Sequence, residues 1–369
     1  MKLEDIRKDI DRIDGQLVPL LDERMKCSLE VAKIKMAEGL PVYHPGREKQ
    51  ILDRVENTGG QYGSYIRNIY QSIMTVSRAL QNDTMFKDSG FADRLRAVPS
   101  SMNYDRVVCQ GAEGSFSHAA ARKMFGINTP EFKTSFEDVF KEIGHDGNAV
   151  GILPVENSTA GSVSLVYDLL LKYNYWIVKA AAIDVSQNLL CVGSKEAVKV
   201  VYSHPHAIKQ CDNYIKSRGL RAVECENTAI AAKLVAEKGD PSLAAIGSAE
   251  AAALYGLNVT DSGIQDEHDN LTRFIAVSSK PFIDPLANTV SVALSMPHET
   301  GSLYSMLGRF AECGLNLTKI ESRPAGKKFE YKFYIDFSGS IRDQRTMNLL
   351  SALDSELAYF VFLGNYVED

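Results

Sequence analysis

Apolar residues recur at gaps of three and four through the start of the chain, at Leu3, Ile6, Ile10, Ile13, Leu17 and Leu20, and again at Cys27, Val31 and Ile34. That spacing is a coiled-coil seam. It predicts a helix from about residue 3 to 37, ~50 Å long at 1.5 Å per residue. Gly39 and Pro41 should end it. Pro19 lies inside it and predicts a kink or one unpaired carbonyl. A second helix is expected over about 44–57, stopped by Gly59-Gly60. A third is expected over about 62–84, where Ile66, Ile69, Ile73, Val76 and Leu80 repeat the spacing. A lone domain of this size should have a radius of gyration of only ~12 Å. The long helix is therefore expected to pack against a second copy of itself.

Residues 85–104 carry Gly90, Pro99, Ser100 and Ser101 and read as a linker. From Arg106 the pattern changes to short apolar runs alternating with helical stretches, which indicates an α/β domain over 105–280. Strands are predicted at Arg106–Cys109, Ala149–Leu153, Trp176–Ala181, Leu189–Val192, Val198–Tyr202, Ala244–Ile246 and Phe274–Val277. After a second linker, Lys280-Pro281…Pro285, the segment 288–367 reads strand, helix, strand, strand, helix, strand. That βαββαβ order is ferredoxin-like.

Composition narrows the class. The chain has 369 residues, 45% hydrophobic and 24% charged, as in a soluble globular protein of two to three domains. Its net charge of −6 argues against nucleic-acid binding. No apolar run approaches the ~20 residues of a membrane helix. The charged start, MKLEDIRKDIDRID, does not read as a signal peptide. Six scattered cysteines without a CxxC pair predict no disulfide framework, no metal site and a cytoplasmic location.

Arg24 falls where the first seam calls for a leucine. A buried guanidinium needs an anion. Either a glutamate of the domain supplies it, or a kink at Pro19 turns the arginine outward, or the anion is an external ligand. Lys35 lies on nearly the same face, ~16 Å further on. Two long side chains can close that gap onto a small dianion. Arg7 is ~25 Å from Arg24 along the helix, so it can reach the same ligand only from an antiparallel second copy. Arg47 and Glu48 open the second helix. Ser77 and Gln81 share a face of the third.

IRKDIDRID…DER…VAKIK…GREKQIL…VSRALQ resembles the helical class of chorismate mutases, which are intertwined dimers. The resemblance spans residues 3–84. It implies that Arg7 of a second copy, Arg24 and Lys35 grip the two substrate carboxylates. It further implies that Lys35 and Gln81 donate to the ether oxygen, that Arg47 and Glu48 meet the ring hydroxyl side, and that Ser77 lies at the pocket edge. Relatives usually carry aspartate four residues before Arg47-Glu48; this chain has Tyr43-His44-Pro45-Gly46. The reaction is an intramolecular rearrangement, so the protein need only hold a compact conformer and place positive charge at the breaking C–O bond. No cofactor or metal is required.

In the α/β segment, Gln110-Gly111-Ala112-Glu113-Gly114-Ser115-Phe116-Ser117-His118 reads as a glycine turn opening a helix, a place where free N–H groups bind anions. Gly151-Ile152-Leu153-Pro154-Val155-Glu156-Asn157-Ser158-Thr159-Ala160-Gly161-Ser162 and Val201-Tyr202-Ser203-His204-Pro205-His206 read likewise as strands feeding helices. Asn270-Leu271-Thr272-Arg273-Phe274 enters a strand. Spacing alone supports a small-dianion cleft in a two-lobed protein, and a Ser N-cap is equally well structural.

GAEGSFS, LPVENSTAGSV, VYSHP and NLTRF resemble the motifs of prephenate dehydratases over about 105–280. The fold implied is two-lobed α/β, of the periplasmic-binding-protein type, with the site between the lobes. The resemblance implies that Thr272 assists the departing ring hydroxyl, Asn157 orients substrate, and Arg273 or nearby backbone meets a carboxylate. Ser115, Glu156, Ser158, Thr159, His206 and Phe274 would line the cleft. Many relatives have glutamine where this chain has His206. Threonine is a weak acid, so hydrogen-bond donation is expected rather than prior proton transfer.

The C-terminal segment, with Gly301-Ser302-Leu303 and Glu321-Ser322-Arg323-Pro324, resembles the ACT regulatory domain of these dehydratases. That implies a phenylalanine site from Gly301, Ser302, Leu303, Asn316 and Leu317, with Glu321, Ser322 and Arg323 in the adjoining motif. Together the three segments resemble the bifunctional chorismate mutase–prephenate dehydratases of phenylalanine biosynthesis, working as a homodimer or higher homo-oligomer on chorismate and prephenate, with phenylalanine as allosteric inhibitor. Two other readings stand beside this one. One is a prephenate or arogenate dehydratase with a helical domain kept only for dimerisation. The other is a non-catalytic small-molecule sensor.

Overall fold

The computed structural model describes residues 2–85, 90–267, 270–296, 298–299, 301–324 and 331–369. The chain forms two compact units, one of residues 1–98 and 288–362, the other of 99–287 and 363–369.

The first unit opens with α1 (Leu3–Glu38), which runs unbroken through Pro19 and ends at Gly39 in the left-handed conformation. His44 then caps α2 (Pro45–Thr58), its ring accepting from the Arg47 N–H at 3.1 Å. A short 3₁₀ turn leads to α3 (Gly63–Met85). Helices α1 and α2 both pack on α3. The faces in contact bury Ser28 and Ala32 of α1, Leu52 and Val55 of α2, and Met74, Ser77 and Gln81 of α3. The apolar seam of α1 is not among them: Leu3, Ile6, Ile10, Ile13, Leu17, Leu20, Val31 and Ile34 are all exposed on the single chain.

The predicted linker is partly ordered, and its residues 86–89 lie outside the described residues. Gly90–Arg96 forms helix α4, which buries Phe91, Ala92 and Leu95. The Phe91 ring meets Phe360 and Phe362 edge-on at 5.8 and 6.3 Å. Polar neighbours masked this seven-residue helix in the sequence.

The second unit has two sheets. Its first part contains β1 (Arg106–Gln110), α5 (Phe116–Phe125), β2 (Glu131–Lys133), α6 (Phe136–His145), β3 (Ala149–Asn157), β4 (Gly161–Ser162), α7 (Ser164–Tyr173) and β5 (Trp176–Asp184). There follow β6 (Asn188–Cys191), β7 (Val200–Ser203), α8 (Pro205–Gln210), α9 (Asp212–Ser217), β8 (Arg221–Glu224), α10 (Thr228–Lys238), β9 (Leu243–Gly247), α11 (Ala249–Tyr255), β10 (Asn258–Asp261) and β11 (Leu271–Ser278). One sheet has the order β5-β11-β3-β1-β2, the other β10-β6-β9-β7-β8. The chain leaves the first sheet after β5 and returns at β11, so two crossings join two lobes.

Strands β1 and β3 are buried on both faces, as the runs Val107–Cys109 and Ala149–Leu153 predict. Each fully buried Val, Leu or Ile contributes about 1.5–3 kcal/mol. The crossings are tied together by Val185 N–H to Asn270 O at 2.8 Å and Ile264 N–H to Gln187 O at 2.9 Å. Gly114, with φ +83, lies against the second lobe, where a Cβ would sit 3.1 Å from Ala251 Cα.

After β11 come β12 (Thr289–Ser295), α12 (Ser302–Glu312), β13 (Leu317–Pro324), β14 (Tyr331–Ser338), α13 (Gln344–Glu356) and β15 (Phe360–Glu368). This is the βαββαβ order read from the sequence, with strands arranged β13-β14-β12-β15. Two features depart from the expected boundaries. Helices α12 and α13 pack on α3, so this segment shares one unit with the N-terminal helices. The end of β15, from Leu363 on, belongs to the second unit, where Val367 pairs with Lys179 and Tyr366 is fully buried.

Candidate active sites

The first site forms where α1 faces α3. Ser77 and Gln81, one turn apart on α3, are 5% and 8% exposed. Arg24 donates to the Ser77 hydroxyl. Lys35 reaches the Gln81 side-chain oxygen at 3.3 Å and the Val42 carbonyl at 2.5 Å. The half-buried guanidinium of Arg24 is therefore not turned out at Pro19. Among the described residues, no carboxylate pairs with it. Among the described residues, the hydrogen-bond partner of its guanidinium is a neutral hydroxyl. Burial draws the Lys35 ammonium below the usual lysine value of 10.5, against the opposing fields of Glu48 and Glu356.

Glu48, on α2, is held by Arg78 at 2.6 Å. Arg78 also lies over the Tyr43 ring at 5.4 Å and donates to Thr75 at 3.1 Å. The sequence reading missed Arg78: it follows Ser77 directly and leaves the helix ~100° away from it. Arg47 is exposed, and so is Arg7, far along α1 from this cluster. His44, in the stretch where the resemblance leads one to expect aspartate, serves as the helix cap.

The second site lies between the lobes of the α/β unit. The side chain of Asn157, at the end of β3, is locked by the turn that follows. Its oxygen accepts from Thr159 N–H at 3.1 Å, Ala160 N–H at 2.9 Å and the Thr159 hydroxyl at 2.7 Å. Its NH₂ is thereby turned to β11, where it donates to Thr272 Oγ1 at 2.8 Å and Asn270 Oδ1 at 2.7 Å. Thr272 is 8% exposed. From the other lobe, Gln210 donates to Thr159 Oγ1 at 3.3 Å, and Gln187 donates to Gln210 at 3.3 Å.

The result is a directed chain, Gln187 to Gln210 to Thr159 to Asn157 to Thr272. Because Thr272 Oγ1 accepts at its end, its own O–H is left to donate. Among the described residues, no acceptor takes that proton. Sequence reasoning missed Gln187 and Gln210, since isolated amides carry no periodic signal, and gave no role to Asn270 although it opens the NLTRF motif.

Four of the predicted dehydratase residues do other work. Arg273 is held by Glu368, with Nη2 2.9 Å from Oε2, and by the Tyr366 hydroxyl at 2.9 Å, so its guanidinium is engaged in an ion pair rather than offered to a carboxylate. Phe274 is 2% exposed, packed with Val107, Cys109 and Ile152 in the core. The exposed His206 ring stacks on His204 at 6.1 Å. Ser158 ties its turn to β11, accepting from Leu271 N–H at 3.0 Å. The stretch from Gly151 does not feed a helix directly: β3 turns into β4, and Val163 precedes α7 without a side-chain cap. Ser115 does cap α5, accepting from His118 N–H at 3.4 Å, and Glu156 pairs with β4 and β11 through its backbone. Among the described residues, no group of three His, Cys, Asp or Glu side chains is placed to hold a metal ion, and no helix is long and apolar enough to cross a membrane.

Residues 6–82 match the chorismate mutase type II family, and residues 107–282 match the prephenate dehydratase family. A bifunctional chorismate mutase/prephenate dehydratase of Aquifex aeolicus is 31% identical over 99% of this chain and 98% of its own length. This chain belongs to that bifunctional family. It is an enzyme of two activities in phenylalanine biosynthesis, converting chorismate to prephenate and prephenate to phenylpyruvate. Among solved structures, the prephenate dehydratase of Arthrobacter aurescens in complex with L-Phe is 28% identical, with a TM-score of 0.64 over 71% of this chain and 89% of that one. The quorum-quenching acylase GqqA is 30% identical, with a TM-score of 0.64 over 71% and 98%. The α/β unit thus has the two-lobed, periplasmic-binding-protein-like fold of the dehydratases.

Proposed function

We propose that the two chemistries run at the two clusters described above. The observation that carries the dehydratase assignment is the hydrogen bond from Asn157 to Thr272, which leaves the threonine O–H to donate. As the C–C bond to the ring carboxylate breaks, its electron pair aromatises the ring and expels the 4-hydroxyl. Thr272 donates a hydrogen bond to that oxygen as it leaves. Thr159 and Gln210 keep Asn157 in register, and Ser115, Glu156 and Ser158 shape the surrounding loops.

At the mutase site, Arg24 and Lys35 take the substrate carboxylates and Lys35 with Gln81 faces the ether oxygen. Arg47 and Glu48 meet the hydroxyl side, with Ser77 at the edge. Arg7 arrives from a second copy, whose long helix would cover the exposed seam of α1. The free cysteines among the described residues suit a reducing cytoplasm. Assays of the purified chain with chorismate and with prephenate test both activities, and a failure to form phenylpyruvate from prephenate removes the second. Sedimentation showing a monomer would remove the shared first site.

The βαββαβ segment is proposed as an ACT domain that binds phenylalanine near Gly301, Ser302, Leu303, Asn316, Leu317, Glu321, Ser322 and Arg323. Leu303, Asn316 and Ser322 are exposed on the single chain, as an inter-copy site requires. Gly301 has φ +88 at the start of α12, with open space where a Cβ would stand. A β-branched residue there is penalised by backbone conformation rather than by a clash. Gly301→Val is expected to lose phenylalanine binding by calorimetry and to keep uninhibited dehydratase turnover. Inhibition equal to that of the parent would contradict the site.

A further inference from the structure

The hydrogen-bond chain that ends at Thr272 begins in the hinge between the lobes. Gln187 lies in the stretch that joins β5 to β6, the first of the two crossings, and is 2% exposed. Its backbone is bound to the second crossing: Gln187 N–H donates to Gln265 Oε1 at 2.9 Å, and its carbonyl accepts from Ile264 N–H at 2.9 Å. Gln210 is tied to the same crossing, its carbonyl accepting from Asp266 N–H at 2.7 Å. Both backbones are thus held where the Gln187 NH₂ meets Gln210 Oε1, 3.3 Å away.

The polarity of the chain is set at its far end. The backbone N–H groups of Thr159 and Ala160 both point at Asn157 Oδ1, so that atom must be the amide oxygen. The Thr159 hydroxyl, 2.7 Å from the same oxygen, must donate to it, and its own oxygen then accepts from Gln210. A Gln210 that turns its NH₂ to Thr159 turns its oxygen to Gln187, which must donate. Gln187 Oε1 is left buried without a hydrogen-bond partner among the described residues. A buried acceptor left unpaired costs stability, so the fold alone gives no reason for an amide at this place.

We infer that Gln187 is a positioning residue of the dehydratase reaction: from the hinge it fixes the orientation of the Gln210 amide and, through Thr159 and Asn157, that of the Thr272 donor. This rests on the reading of Thr272 as the group that assists the leaving hydroxyl. Gln187 touches no reacting atom and passes no proton. Without its N–H, the Gln210 amide is free to turn over, offer its oxygen to Thr159 and draw the Thr159 proton away from Asn157 Oδ1.

A double-mutant cycle on the full-length chain, with prephenate as substrate, tests this. Gln187→Met keeps the length of the side chain and removes the donor. Thr159→Ala removes the link at which Gln187 acts and leaves the two backbone N–H groups on Asn157. Gln187→Met is expected to lower dehydratase kcat roughly 2- to 13-fold, the worth of one net hydrogen bond, with KM little changed. In the Thr159→Ala background the same substitution should cost nothing further. A residue that merely packs the hinge would cost the same factor in both backgrounds, and that result overturns the proposal, as does a parent-level kcat in Gln187→Met. Gln187→Leu repeats the cycle if the methionine variant does not fold. Loss of the cooperative unfolding transition of the α/β unit in both variants would also overturn it, since the amide would then be serving the fold. Thr272→Ala, assayed alongside, keeps two failures apart: an unchanged kcat there removes the reading of Thr272, whereas a loss there with an additive cycle removes only Gln187.

Discussion

Thr272→Ala is expected to cut dehydratase kcat by about 10²- to 10⁴-fold, the usual contribution of a positioned proton donor, while mutase turnover of chorismate stays at the parent level. Thr272 is 8% exposed and, among the described residues, its hydroxyl accepts from Asn157, so its proton is the hydrogen-bond resource it has to give. Thr272→Ser keeps that proton and should retain much of the rate. Asn157→Asp discriminates further. A carboxylate at that place has no proton for Thr272 and accepts one from it, so the threonine donor would be turned inward. Asn157→Asp should then be as damaging as Asn157→Ala, although it is nearly isosteric. Steady-state kinetics with prephenate check the series. An unchanged kcat in Thr272→Ala would show that the leaving hydroxyl is assisted from elsewhere, and a change in ligand affinity without any turnover in the parent would favour a sensor.

The legible parts of the sequence are those where burial is periodic or continuous. The seam from Leu3 to Ile34 located α1 to within a residue or two, and the apolar runs at Val107 and Ala149 located the central strands. Edge elements were lost because they have no buried period: β8 alternates nothing, with Arg221, Ala222 and Glu224 all exposed, and β2 and β10 are similarly short and open. Helix α4 was hidden among charged neighbours although it buries Phe91 and Leu95.

At the sites, Ser115 caps α5 as its motif predicts, but side-chain direction was not readable. Arg273 and Phe274 adjoin Thr272 in sequence, yet one is taken by Glu368 and the other enters the core. A strand sends neighbours to opposite faces, so Arg273 turns away from Thr272, while Phe274, two residues further along β11, packs in the core with Ala181 and Ile183. Gln210 shows the converse, a residue with no motif signal that a short helix delivers to Thr159 across the lobes.

The second large effect falls at the other end of the chain. Arg24→Ala should lower mutase kcat/KM roughly 30- to 5000-fold, the range for removing one partner of a desolvated charge contact worth about 2–5 kcal/mol. Phenylpyruvate formation from added prephenate should be unaffected. Arg24 is half-buried, rests on Ser77 and, among the described residues, has no carboxylate beside it, so the substrate must supply the compensating charge. Arg24→Lys keeps the charge but not the planar fork that matches a carboxylate, and it should recover only part of the loss. Because the proposed site also takes Arg7 from a second copy, mixing Arg7→Ala chains with Arg24→Ala chains gives a sharper reading. Each variant homodimer then has two defective sites, whereas a mixed dimer has one site carrying both lesions and one carrying neither. Mutase activity that rises on mixing to about a quarter of the parent level, as half of the dimers become mixed with one intact site each, is the expected result. No recovery in a mixture shown to exchange chains would mean that Arg7 acts within its own chain or not at all.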